Sequence, residues 1–373
     1  MQTVKFSSVI HLSTTRTSDP ASAGIDRFVG LEHIEPENLH IRRWGLVADG
    51  TTFTNTFKRG QVLFGKRRAY QRKVAVADFD GVCSGDIYVF ESKDPNVLLP
   101  ELVPFIMQSE GFYQYAVKTS AGSLSPRTNW THLANYELNL PPVDEQRRIA
   151  DLLWAADDAI EKHKTVLESL EMLAHSFWKN IQDEKNYKML PLKEVAKVSN
   201  GSTPSRAEKS YWENGTIPWL PTQKVNDRII TSANEFITEL ALKKCHLKIY
   251  PKGSVLIAMI GEGKTRGTAA YLEIDSCINQ NFACIAPSEY IDSHYLFHCL
   301  DNSYERLRSG AQGGVHALNC KLVGNFEIPV PDIEEQRKFS EKFQQIEQQS
   351  QNIQKHIEIL ANLKKTLLQK FLQ

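Results

Sequence analysis

Basic side chains gathered without acids are the residues here whose types and spacing could act on another molecule. From Lys58 to Lys73 the chain carries seven basic residues and no acidic one, with Tyr70 interleaved. Lysines and arginines so placed supply salt-dependent attraction to phosphates, and Arg67, Arg68 and Arg72 could also bond guanine edges in a bidentate manner. A second run, Lys243 to Arg266, has Glu262 as its sole acid, and Arg266 could bond guanine in the same way. Lys58, Arg59, Lys66, Arg67, Arg68, Tyr70, Arg72 and Lys73 are therefore candidate nucleic-acid contacts in the first half of the chain, and Lys264, Thr265 and Arg266 in the second. Because Lys plus Arg equals Asp plus Glu at 44 each, such affinity must come from local segregation of charge, not from overall basicity.

Other chemistry finds little support. Gly261-Glu-Gly-Lys-Thr265 resembles the end of a nucleotide-binding P-loop, but Ala258 stands where the pattern needs its first glycine, and the following residues read as a strand instead of a phosphate-capping helix. Leu140-Pro-Pro-Val143 is not the Asn/Asp-Pro-Pro-Tyr/Phe tetrad of an amino-methyltransferase. Pro331-Asp332 with Lys342 could be misread as a nuclease signature, yet it lies at a helix start. Cys83, Cys245, Cys277, Cys284, Cys299 and Cys320 have no zinc-ligand spacing and read as reduced, mostly buried thiols. No metal is expected, nor any cofactor bound by this chain. Trp130, Trp212 and Trp219 read as core or hinge residues, and His246 as a surface imidazole beside a buried Cys245 thiol. With no apolar leader and no run of about eighteen apolar residues, a cytoplasmic protein is expected.

The elements that must position the basic residues come from an internal repeat. Asn135-Tyr-Glu-Leu-Asn-Leu-Pro-Pro-Val-Asp-Glu-Gln-Arg147 returns as Asn325-Phe-Glu-Ile-Pro-Val-Pro-Asp-Ile-Glu-Glu-Gln-Arg337, a shift of 190 that holds without a gap until Ile181 falls on Phe371. Upstream the repeat is looser. The stretch from Ser7 resembles that from Lys193, and Arg-Gly-Gln-Val-Leu-Phe-Gly from Arg59 resembles Lys-Gly-Ser-Val-Leu-Ile-Ala from Lys252. A Gly/Ser-rich stretch precedes each helix, Ser120–Asn129 and Ser309–Asn319, and reads as a loop. These loops add Ser123, Arg127, Gln312 and His316 to the candidate contacts. At 373 residues with 41% hydrophobic and 24% charged residues, two cores plus connecting elements are expected.

Apolar residues at 149, 153, 156, 160, 167, 170, 174, 177 and 181, with His163 among them, keep a 4-3 spacing over more than four heptads. That is the pattern of a coiled-coil seam. Shifted by 190 it gives Phe339, Phe343, Ile346, Ser350, Ile353, Ile357, Leu360, Lys364, Leu367 and Phe371, in which Ser350 and Lys364 weaken the seam. Each helix of about 37 to 40 residues spans roughly 55 to 60 Å, and the two seams are expected to pack antiparallel with one domain toward each end. Roughly one and a half turns of duplex fit that length. The domains read as α+β, with strands near Gln61–Phe64, Asp86–Phe90, Ser254–Ile257 and Phe282–Ile285 and helical patches at Glu101–Tyr113 and Asp292–Arg308.

The Pro-x-x-x-Glu-Gln-Arg tail opening a long helix twice, each time after a divergent α+β region ending in a Gly/Ser-rich loop, resembles the specificity subunits of Type I restriction-modification systems. The segment Asn200–Val225, which opens Asn-Gly-Ser-Thr-Pro-Ser-Arg, resembles the opening of a target-recognition domain in that family, which adds Thr203, Arg206 and Lys224. The resemblance implies a pseudo-twofold protein: recognition domains at 1–140 and 184–330, spacer helices at 141–183 and 331–373. It implies a non-catalytic subunit that reads a bipartite, asymmetric duplex site and docks two methylation subunits, which use S-adenosylmethionine, and two restriction (motor-nuclease) subunits. The residues alone leave open a free-standing DNA-binding regulator that dimerises through its helices, or a scaffold whose basic clusters are incidental.

Overall fold

The computed structural model of the protein describes residues 2–184, 186–261, 263, 265–309 and 317–372. It separates into two compact units, one of residues 1–165 with 354–373 and the other of residues 166–353. Each unit holds one mixed domain and a stretch of both long helices, which run Val143–Asp183 and Ile333–Phe371.

The same frame is built twice. In the first unit an antiparallel sheet sets the strands Ile10–Ser13, Ile87–Ser92, Val62–Gly65 and Val74–Val76 side by side, and a second sheet is formed around Arg27–Val29 and Gly81–Cys83. In the second unit Val198–Asn200, Phe282–Ile285, Val255–Ala258 and Ala269–Leu272 repeat that order, with Ile229–Ile230 added at the edge. Val62–Gly65 and Val255–Ala258 are buried at every position, as strands covered on both faces must be. The expected strands are all present. The expected helix Glu101–Tyr113 is broken at Ser109, whose extended backbone and hydroxyl cap a new helix, Glu110–Lys118, by accepting from the Phe112 amide. Asp292–Arg308 likewise divides into Ser293–Asp301 and Tyr304–Ser309.

A two-stranded ribbon leads into each long helix: Gln2–Lys5 pairs with Glu137–Leu140, and Lys188–Pro191 with Glu327–Val330. Just beyond each ribbon lies the glutamine of the repeated Glu-Gln-Arg. Gln146 is buried; its Oε1 accepts from the Leu99 amide at 3.0 Å, and its Nε2 donates to the carbonyls of Val97 at 2.9 Å and Pro141 at 3.0 Å. Gln336 repeats the arrangement with the Asp292 amide at 2.8 Å and the carbonyls of Tyr290 and Pro331 at 3.3 and 2.9 Å. A primary amide both donates and accepts, so one side chain satisfies backbone groups from two segments that would otherwise be buried without partners.

Within each unit the two helix stretches run antiparallel. In the first, Asp157 meets Lys364 and the rings of His163 and His356 lie 5.5 Å apart; in the second, Phe177 packs on Phe339 and Phe343. The apolar stripe is buried where a domain covers it, at Ile149, Leu153, Ala156 and Ile160 and again at Ile181, joined there by Trp178. Lys364 corrects the expectation that it weakens the seam. Its ammonium is buried against the Asp157 carboxylate at 2.5 Å, and it lies 5.4 Å from the Phe105 ring. Asp157 also takes His40 Nε2 at 2.8 Å. Burial alone would push the Asp157 carboxyl up, but His40 and Lys364 hold it below the usual range; the hydrogen bond to Asp157 raises the His40 imidazole. The residue shifted by 190 from Asp157 is Glu347, and it too meets a cation of its domain: Arg228 lies 3.4 Å from Glu347 and bonds Asp301 through both terminal nitrogens, at 2.9 and 2.8 Å.

Three predictions arise from these contacts. Gln146→Ala leaves the Leu99 amide buried without a partner and should cost about 2 kcal/mol or more in urea denaturation, with Gln336→Ala doing the same through Asp292; alanine variants as stable as the parent would refute the clamp. Lys364→Met leaves the buried Asp157 carboxylate with His40 as its one cation and should cost up to roughly 3 kcal/mol, whereas Asp157→Leu with Lys364→Met should recover most of it. The pH dependence has two limbs. Asp157, lowered in the folded state, contributes stability that is present above the ordinary carboxylate pKa of about 3.9 and is lost as pH falls through its folded value. His40, raised in the folded state, contributes below its ordinary pKa of about 6.5, and that contribution disappears as pH rises through the higher folded value. Stability curves of His40→Asn should therefore lack the decline above pH ~6.5 and keep the acid limb.

Candidate nucleic-acid interface

The basic residues of the first domain are sorted by the strand Val62–Gly65. Lys58 and Arg59 are exposed in the turn before it, their amides donating to Gln61 Oε1 and Asp80 Oδ1, each at 2.8 Å. Lys66, Arg67 and Arg68 leave its other end, so the first pair stands a strand's length away, on the order of 13 Å for four residues. The run that is continuous in sequence is thus divided in space.

At the far end of the strand a network forms that the sequence did not announce. The backbone of Lys66 donates to the Asp86 carbonyl and accepts from the Thr128 amide, and Arg67 bridges to Arg127. This draws the Gly/Ser-rich loop alongside the basic turn. Asp86 then receives both guanidiniums, Arg127 Nε at 2.7 Å and Arg67 at 3.4 Å, and Arg127, opposed by burial, holds the Asp86 carboxyl below its usual range. Ser125 Oγ accepts from Arg67 at 2.9 Å and Arg68 at 3.3 Å. Arg68 adopts φ +54°, a left-handed conformation that only a tertiary frame maintains in a non-glycine residue. Lys66, Arg67, Arg68 and Arg127 are brought together. Asp86 and Ser125 were missed because nothing local marks a partner 19 or 58 positions away.

The remaining candidates of this domain lie elsewhere. Arg72 turns to Glu110 at 2.6 Å and Glu37 at 3.3 Å, over the Tyr113 ring, in a cleft that Asp157 and Lys364 also line. The Lys73 ammonium donates to the Leu31 carbonyl at 2.6 Å. Tyr70 and Ser123 are exposed.

In the second domain, Arg206 stacks on Trp212 at 3.8 Å and faces Trp219 at 4.9 Å while paired with Glu235. Trp219 is buried and its indole N–H reaches the Ser202 carbonyl at 3.1 Å. Thr203 donates to Gln280, and Lys224 pairs with Asp227. Thr265 and Arg266 are half-buried in the turn between Val255–Ala258 and Ala269–Leu272. Lys264, Gln312 and His316 lie outside the described residues. The Leu318 amide donates to the Met259 carbonyl at 2.8 Å, as Thr128 does to Lys66 at 3.0 Å, so the same main-chain tie carries different side chains in the two domains.

Among the described residues no group of three or more His, Cys, Asp or Glu is arranged to hold a metal ion, and no helix is long and apolar enough to cross a membrane. All six cysteines are free thiols.

Comparison with known proteins agrees with this duplicated frame. The family model described as Type I restriction modification DNA specificity domain matches residues 31–172 and 184–362. A Type I restriction enzyme specificity subunit of Escherichia coli is 29% identical over 154 residues, which is 40% of this chain and 38% of that protein, so the chain aligns with well under half the length of that relative. One from Methanocaldococcus jannaschii is 25% identical over 295 residues, 73% of this chain and 68% of the relative. The crystal structure of the S subunit of a Type I restriction-modification system from M. genitalium superposes with a TM-score of 0.66 at 16% identity, covering 100% of this chain and 96% of that one. The chain thus carries the specificity domain twice and belongs to the Type I restriction modification DNA specificity family.

Proposed function

We propose that this chain reads an asymmetric, two-part duplex site, one part with each domain, and serves as the docking subunit for the partners that act on the DNA. The observation that carries the reading is the duplicated frame with unlike surfaces: matching sheets, ribbons and glutamine clamps hold Lys66, Arg67 and Arg127 in one copy and Arg206 with Trp212 in the other. Different side chains on one scaffold suit two different half-sites. Arginines held by a carboxylate and a serine lose less freedom on meeting a base or phosphate than free ones do.

The domains extend over residues 1–140 and 184–330, with spacers at 141–183 and 331–373. The two long helices, 41 and 39 residues, are each about 60 Å long and set the unread gap between half-sites. Their exposed apolar residues, among them Leu152, Met172, Leu173, Ile359 and Leu363, give partners a surface to cover. Two methylation subunits that bind S-adenosylmethionine, and two restriction subunits where the host encodes them, are the partners this reading assigns. The chain itself holds no cofactor, and the complex works in the cytoplasm.

The test is a domain exchange read by methylome sequencing. Replacing residues 1–140 with those of a relative of different specificity should change one half of the methylated site and leave the other half and the gap intact. A change in both halves, or in neither, would overturn the modular reading. Sequence-specific binding by the chain alone, with no methylation whatever its partner, would instead favour a free-standing regulator.

A further inference from the structure

One cleft in the first domain has a composition set apart from the rest of its surface. The segment Ser13–Thr17 runs alongside Thr54–Phe57, tied by the Thr17 amide to the Thr54 carbonyl at 2.9 Å and the Thr56 amide to the Thr15 carbonyl at 3.0 Å. These segments, with Lys66 and the strand from Ile87 to Val89, line a cleft of about 420 Å³, large against the ~30 Å³ share of a single water molecule. Ser13, Thr14, Thr54 and Asn55 line it with small polar side chains, Arg16 and Lys66 supply two positive charges, and no carboxylate is among its lining residues.

Several cations of this domain are already engaged. Arg67 and Arg127 share Asp86, Arg72 lies between Glu37 and Glu110, and Lys73 donates to a backbone carbonyl. Among the described residues, neither Arg16 nor Lys66 has a carboxylate within ion-pair distance. Lys66 is also held in place. Its backbone is bonded on both sides, its ammonium sits 4.7 Å from the Tyr88 ring, and the Tyr88 hydroxyl is fixed by the Trp130 amide at 3.1 Å. Burial depresses the Lys66 ammonium, Asp86 opposes this, and the positive charges of Arg127 and Arg16 add to it by repulsion. An anion entering the cleft would relieve that repulsion, and hydroxyl and amide donors beside the cations suit tetrahedral oxygens.

We propose that this cleft is a phosphodiester seat, in which Arg16 and Lys66 grip one backbone phosphate of the duplex beside the half-site read by the first domain. The seat deepens the reading above and rests on its premise that this domain faces DNA. It contributes position and affinity, not sequence information. Met259 occupies the Lys66 position of the second domain, so the seat is not repeated there in the same form.

The experiment measures duplex binding by the full chain, assembled with its methylation subunits, as a function of salt. Arg16→Ala and Lys66→Gln should each reduce the slope of log K against log salt, and the double variant should reduce it by about 0.9, the share of one phosphate. Affinity should fall by the same factor for the cognate duplex and for one with the first half-site scrambled. In the wild type, a methylphosphonate at the seated phosphate should reproduce the loss, and it should add nothing to the double variant. Because Arg16 is exposed, Arg16→Glu gives a second variant whose melting temperature should match the parent while binding weakens further. Unchanged slopes, or a loss confined to the cognate sequence, would overturn the seat while leaving the two-part reader intact. Inorganic phosphate bound by the wild type and not by the double variant, with unchanged DNA slopes, would assign the cleft to the free ion and likewise overturn it. Failure of the wild-type complex to bind any duplex would remove the two-part reader and the seat with it.

Discussion

Two buried side-chain amides decide how this protein is put together. A helix of some forty residues with an apolar stripe can rest against a domain in many rotational and axial positions, since apolar burial has no direction. Hydrogen bonds do have direction. Gln146 and Gln336 each convert the start of a long helix into a fixed point by bonding a loop amide and a loop carbonyl, 99 and 97 in one domain and 292 and 290 in the other, together with the carbonyl that ends the ribbon. A glutamate could not donate, and a shorter asparagine would not reach in the same geometry. The flanking Glu and Arg of the repeated tripeptide face outward or lie half-buried, so the glutamine is the member of the trio that the core requires.

A second tie follows one and a half dozen or fewer residues along each helix, and there the two copies use different chemistry at equivalent positions. Asp157 is one acid between two cations, His40 and Lys364; Arg228 is one cation between two acids, Asp301 and Glu347. The protonation of the helix acid follows from this difference. Asp157 is held ionised against its burial, while burial raises Glu347 and its single guanidinium neighbour only partly opposes that. Beside the latter, His298 is buried flat against Phe343 at 4.4 Å and driven down to about 3 by burial, so it stays neutral and adds no charge to the site. Position was kept through duplication while charge arrangement was free to change, as expected where the requirement is a neutralised polar contact between helix and domain.

Much of this frame is legible in the sequence, because periodic apolar residues and a repeated tail are local signals that survive without knowledge of partners. The two helices and the central strands of the larger sheets fall where pattern places them. What escapes is whatever depends on a distant residue. Lys364 looks like a defect in an apolar stripe because Asp157, which neutralises it, lies 207 positions away and off the stripe. The run from Lys58 to Lys73 looks like one patch because strand reversal is invisible in a charge count. Its ends diverge, with Arg72 turned toward Glu110 and Lys58 at the opposite end of its strand. Arg16 carries no local mark at all, and joins Lys66 only because two extended segments pair across the domain.

The way the frame tolerates unlike surfaces can itself be traced to bond type. One tie recurs in both domains through main-chain groups, Thr128 to Lys66 in one and Leu318 to Met259 in the other. Main-chain bonds do not depend on side-chain identity, so the residues at these positions can change from cationic and polar to apolar without losing the bond. The residues beside them were thereby released to diversify. One copy gathered Arg67, Arg127 and Ser125 around Asp86; the other placed Arg206 on a pair of tryptophans. The result is a separation in which buried glutamines and backbone ladders carry position and the exposed turns are free to differ between the two copies.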